Sequence, residues 1–110
     1  MNKYNEKEIR AFLKDWANNT KRKIKNRILA VDAIDTGRLL DSIDWNMDFD
    51  GDEAKITFEM VEYGKFVDEG TVYISPRKFF NDIIEKETDV LEDILEEEII
   101  LAIEKRLLEI

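Results

Sequence analysis

A chain of 110 residues, 44% apolar and 39% charged, has room for one domain with one modest core beneath a heavily charged surface. It contains neither histidine nor cysteine, which excludes Cys/His zinc sites, thiol nucleophiles, disulfides and imidazole bases and leaves carboxylates, lysine, tyrosine and hydroxyls for any chemistry. The net charge of −9 is unevenly spread: residues 1–30 carry nine Lys/Arg and three Asp/Glu, the remainder eight and twenty-three.

Apolar periodicity predicts a helix over residues 5–30. Ile9, Phe12, Leu13, Trp16, Ile24 and Ile28 fall on one stripe, weakly continued by Thr20, with Lys7, Lys14, Lys21 and Lys25 opposite. The run Lys21, Arg22, Lys23, Lys25 and Arg27 suits the C-terminal end of the helix dipole and is a candidate partner contact. Without an interleaved aromatic it is a weak nucleic-acid signal, and a solvated helix face is the favoured account. No apolar run approaches the about 18 residues of a transmembrane helix, and the polar residues 2–10 show no secretory signal.

A short helix follows, capped by Asp35 or Thr36, with Gly37 in its first turn and Leu39, Leu40 and Ile43 on its apolar face. Alternation at Ile43, Trp45 and Met47, and again at Ala54, Ile56 and Phe58, predicts a hairpin turning at Asp50-Gly51. That turn pairs Met47 with Ala54, Trp45 with Ile56 and Ile43 with Phe58, and sets Asp48 against Glu53. Asp48, Asp50, Asp52 and Glu59 also match positions 1, 3, 5 and 12 of a calcium loop. Glu53 stands where the loop needs glycine, however, so no metal site is expected.

The stretch 63–71, Tyr-Gly-Lys-Phe-Val-Asp-Glu-Gly-Thr, places Tyr63, Phe66 and Val67 at the spacing of one helical turn, closed by a left-handed Gly70. A strand with Lys65, Val67 and Glu69 on one side is the alternative. Asp68 and Glu69, being adjacent, point in different directions, so the pair is expected to hold a corner of the fold rather than to perform acid/base chemistry. Thr71 to Ile74 is the natural third strand. Ser75 and Pro76 then open a terminal helix whose apolar positions, from Phe79 and Phe80 to Leu107, continue without Gly or Pro to Ile110. At about 50 Å such a helix exceeds what a small core covers. Either it breaks near Thr88-Asp89 or its distal part, about residues 90–110 with Glu96, Glu97 and Glu98, packs on a neighbouring subunit. The expected fold is α+β in a single domain: a long N-terminal helix, a short helix, a small antiparallel sheet of about three strands and a long C-terminal helix.

Three stretches in this order carry a resemblance: Asp35-Thr36-Gly37-Arg38-Leu39 with Ser42-Ile43, then Tyr63 with Val67-Asp68-Glu69-Gly70-Thr71, then Pro76-Arg77-Lys78-Phe79-Phe80. Together they resemble the neck and tail-component proteins of tailed bacteriophages, across about residues 5–90. Asp68 departs from the family's usual Glu, the link from Thr71 to Pro76 is short, and the acidic C-terminal extension has no counterpart. The resemblance implies a structural, non-enzymatic virion protein without cofactors or metal. Such a protein is made in the host cytoplasm and assembles into a ring, commonly a hexamer, joining portal and head-closure proteins to the tail. DNA passes through the lumen without sequence-specific binding, and no membrane is involved. An acidic lumen would repel phosphates, and the basic N-terminal helix would meet an acidic surface of the next subunit. Arg38 is expected to bridge to Glu69 or Asp68. The competing expectation is an acidic protein-binding module, an antitoxin-like or DNA-mimic inhibitor, resting on the acidic balance after residue 30. An enzyme would need a carboxylate-and-metal cluster with ligand spacing that the sequence lacks.

Overall fold

A computed structural model describes residues 5–31, 36–50, 53–72, 75–95 and 99–109. The first helix, α1 (Glu6–Ala30), begins at Asn5, whose side chain accepts the Glu8 backbone N–H at 2.8 Å and so satisfies one of the orphan donors of the first turn. Its buried stripe is Ile9, Leu13, Trp16, Ala17, Thr20, Ile24 and Ile28. Thr20 belongs there because its hydroxyl donates to the Trp16 carbonyl at 2.9 Å. Then come α2 (Thr36–Ser42), β1 (Asp44–Asp50), β2 (Glu53–Val61), α3 (Gly64–Glu69), α4 (Asn81–Leu95) and β3 (Ile100–Leu108), giving an α+β fold. The capping role expected of Asp35 or Thr36 lies outside the described residues.

The sheet has three strands in the order β1-β2-β3, and it is mixed rather than antiparallel. The hairpin forms as expected, but its register is shifted by two residues. Trp45 faces Phe58, Met47 faces Ile56 and Phe49 faces Ala54, and the turn falls between Asp50 and Glu53. A two-residue shift keeps every side chain on its face. This one sets Phe49 opposite Ala54 and moves Asp48 from Glu53 to Lys55, an attractive pair, while Asp50 takes the place opposite Glu53 and Asp44 faces Glu59.

The C-terminal part departs most from expectation. The long helix is α4 alone, and residues 100–108 form β3, which lies parallel to β2 along its whole length, from Glu53 opposite Ile100 to Val61 opposite Leu108. The segment expected to reach a neighbouring subunit is therefore paired within its own sheet. The physical reason lies in β2. Ala54, Ile56, Phe58 and Met60 are buried, and a central strand with one bare edge would leave a row of backbone donors and acceptors unmatched. Parallel pairing needs a crossover, which α3 and α4 supply. Thr71 and Val72 are not in a strand, and Val72 is 94% exposed; Tyr73 and Ile74 lie outside the described residues.

α1 and α4 pack on one face of the sheet, and Trp16 joins all three elements. Its ring meets Phe58 edge-on at 5.7 Å, and its indole N–H donates to the Glu87 carbonyl at 3.1 Å. The molecule measures 51 × 25 × 20 Å with a radius of gyration of 15.1 Å, against about 13 Å for a compact chain of this length. The elongation follows α1, whose 25 residues span about 37 Å.

At Gly64 the backbone lies close against buried side chains. A Cβ there would stand 2.6 Å from Met60 Sδ and 2.8 Å from Leu39 Cδ1, both in fully buried side chains. Gly64→Ala is expected to destabilise the chain by about 1–3 kcal/mol through overpacking. Denaturant unfolding checks this, and an unchanged midpoint would show that the corner is loosely packed.

Candidate functional site

The three motif stretches, dispersed over more than forty residues, meet around the C-terminal end of β2. From α2, Leu39 is fully buried against the position of Gly64, and the Ser42 hydroxyl donates to the Leu39 carbonyl at 2.7 Å while accepting the Val61 N–H at 3.0 Å. Ile43 is buried beside them. From the central stretch, α3 buries Val67 and packs Tyr63 against the core, leaving Phe66 51% exposed. Gly70 closes α3 with φ 81° and ψ 168°, an extended positive-φ conformation open to glycine rather than the left-handed helical one expected, and its N–H donates to the Phe66 carbonyl.

Asp68 is the centre of this corner. It is 3% exposed, and its carboxylate accepts the Phe80 N–H at 2.8 Å and the Asn81 N–H at 3.3 Å. The backbone adds two bonds, from Arg77 N–H to the Val67 carbonyl and from Lys78 N–H to the Asp68 carbonyl, each 3.0 Å. Thus α4 does not start at Ser75-Pro76. Residues 75–79 run irregularly along α3, Phe79 and Phe80 enter the core, and Asp68 caps the helix from a distant segment. Burial pushes the Asp68 carboxyl up, the three N–H groups at Phe80, Asn81 and Phe79 pull it down, and nearby Asp82 adds to the rise; the net direction is upward. Glu69 is exposed and accepts from the Asn81 side chain at 3.2 Å. Asp68 and Glu69 thus each fasten the start of α4 through different atoms, and both line a pocket shared with Lys65 and Lys105. Arg38, exposed on α2, makes no ion pair with either among the described residues, contrary to the expected bridge; Asp68 is buried and bonded to backbone N–H groups, and Glu69 pairs with the Asn81 side chain. Thr71 and Pro76 are exposed at the rim of the corner.

The basic run divides between two sides of α1. Lys23 pairs with Glu87 of α4 at 2.7 Å. Lys21 pairs with Asp44 at 3.2 Å, and the Trp45 N–H, followed by Lys21, holds the Asp44 carboxyl below its usual range despite partial burial. Arg22 and Lys25 remain with Lys21 on an open groove shared with Asn18, Asn26, Leu29, Leu40 and Asp41. Arg27 is exposed. Glu96, Glu97 and Glu98 lie outside the described residues.

Two further surfaces were not expected. The first is an apolar groove of about 290 Å³ between the N-terminal half of α1 and the end of α4, lined by Glu8, Ile9, Phe12, Ile94 and Leu95. Periodicity places Ile9, Phe12, Ile94 and Leu95 alike on apolar stripes, and two wide stripes leave a seam at the helices' outer edge. The second is the sheet face turned away from the helices, where Asp48, Asp50, Glu53, Glu59 and Glu104 outnumber Lys55 and Arg106. Lys55 pairs with Glu104 at 3.4 Å there, and Arg106 approaches Glu59 at 4.0 Å. Among the described residues no three carboxylates converge as metal ligands would, and no helix is long and apolar enough to cross a membrane. No protein-family model, curated protein or solved structure matches the chain.

Proposed function

We propose that this chain is a structural subunit of the neck of a tailed bacteriophage, assembling into a ring between the portal complex and the tail through which DNA passes. The observation that carries this reading is the convergence of the three motif stretches on one corner. Leu39, Ser42, Val67, Asp68 and Phe79 act there as fasteners for α2, α3, α4 and β2, with no reacting group among them. Residues of that kind fit a shared scaffold rather than a shared reaction. The acidic sheet face suits a lumen wall that phosphates do not adhere to. The spare-helix rationale for assembly is replaced by the exposed groove and basic patch on the helical side.

Imaging the necks of purified particles by cryo-electron microscopy is expected to place the chain in a ring below the portal. Finding it in infected cells but never in particles would reject the reading. The same acidic sheet face favours one second reading, an acidic module that binds a basic surface of a host protein; recovery of a host nuclease or polymerase on the immobilised chain, lost when Asp48, Asp50 and Glu53 are neutralised, would favour that instead.

A further inference from the structure

The two unassigned surfaces of the helical layer are complementary to one another. Between Trp16 and Ala30 the sequence holds five cations and no carboxylate. Lys21 and Lys23 are paired with Asp44 and Glu87, which leaves Arg22 and Lys25 to flank Leu29, 59% exposed, on a groove that Asp41 also lines. The apolar groove has the opposite character. Phe12 and Ile94 line it, the latter 54% exposed, and Val90 continues the stripe along α4. Glu8 lines the groove from α1, and α4 as a whole exposes Asp82, Glu85, Asp89, Glu92 and Asp93 against Lys86, with Glu85 4.0 Å from Lys105 of β3.

Phe12 and Leu29 are seventeen residues apart on one straight helix, about 26 Å. The basic patch of a molecule therefore cannot fold back onto its own groove. We propose that the groove receives the basic patch of a second copy of this chain. Leu29 of one copy is seated between Phe12 and Ile94 of the next, and Arg22 and Lys25 face the carboxylates of α4. Burying these three apolar side chains supplies the drive for contact, and the opposite charges select orientation and reject groove-to-groove pairing. Because the two surfaces differ, the contact is head-to-tail, and each bound copy still offers one free groove and one free patch. This names the subunit interface for the ring reading and rests on it for closure into a ring; the pairwise contact stands on the surface chemistry alone.

Two variants separate the halves of the interface. Ile94→Lys closes the groove, and the double substitution Arg22→Glu, Lys25→Glu inverts the patch; all three positions are on the surface, and circular dichroism confirms that each protein is folded. In sedimentation velocity the parent is expected to grow past dimer as its concentration rises to about 1 mM. Each variant alone stays monomeric, and the two mixed form a one-to-one heterodimer and nothing larger, because each retains a single working surface. A parent monomeric throughout, a folded variant that still self-associates, or a mixture that stays monomeric would overturn the inference. Heterodimers from a chain missing from phage particles would sink the neck reading alone. A neck ring whose subunits meet elsewhere would sink this interface alone.

Discussion

A chain ending at Glu98 is expected not to fold. Removing residues 99–110 takes away β3, which pairs with β2 over its full length, and with it Ile99, 6% exposed in the core. The loss comprises a nine-residue strand and the partner of one whole edge of β2. Each ladder hydrogen bond is worth about 0.5–1.5 kcal/mol net, and losing a buried isoleucine costs about 2–5 kcal/mol. The sum is comparable to the about 5–15 kcal/mol that holds a whole domain of this size together. What remains is a two-stranded hairpin, which is marginal by itself and would depend entirely on its contacts with the helices. Circular dichroism on the truncated chain should show helical signal reduced and no cooperative melt. This experiment also separates two accounts of the C-terminus. A distal helix meant for a neighbouring subunit would be dispensable to the monomer, so a truncated chain melting cooperatively near the parent's temperature would contradict the parallel pairing.

That contrast shows where local pattern stops being informative. α1 is legible almost to the residue because its stripe is long, carries an N-cap at Asn5 and has no competing period. The hairpin is legible because two alternating runs flank a turn. Its register is not, since a shift of two preserves every face and the choice falls to Phe49 and Lys55. Residues 99–108 defeat pattern altogether. Ile-Ile-Leu-Ala-Ile is as good a buried strand as a helix segment, and the deciding fact is the bare edge of β2, which lies some fifty residues earlier in the chain. The α4 start illustrates the same point in miniature. Ser75-Pro76 has good capping chemistry, but Phe79 and Phe80 gain more by entering the core, and Asp68 then caps from outside the helix. Of the candidate surfaces, the basic run is visible in composition, whereas its division between a Glu87 pair and an open patch depends on where α4 lies. The groove is invisible because periodicity marks Phe12, Val90 and Ile94 as apolar without telling which outer edge of a stripe the core leaves bare.

Asp68 is the side chain whose loss is expected to be most damaging after that of β3. In Asp68→Ala the Phe80 N–H is left buried with no acceptor, at about 1–3 kcal/mol, and α4 loses a cap worth about 0.5–2 kcal/mol. The terms overlap, and a net loss of about 2–3 kcal/mol is expected, lowering the melting temperature by about 10–20 °C. Amide exchange should speed first at Phe80 and Asn81. The pH dependence identifies the carboxylate as the agent. Its proton is held more tightly in the folded chain than in the unfolded one, where the carboxyl titrates near about 3.9. The stability it contributes by binding that proton is therefore complete below the unfolded value and declines as pH rises through the higher folded one. Asp68→Asn keeps an oxygen acceptor but cannot titrate. The parent's stability relative to Asp68→Asn should thus be greatest near about pH 3 and fall toward neutrality, where burying the ionised carboxylate has its full desolvation cost. A difference that instead widens as pH rises would mean that the N–H donors outweigh burial and hold the carboxylate ionised throughout. An Asp68→Ala chain as stable as the parent would remove Asp68 as the fastener of the corner on which all three motif stretches converge.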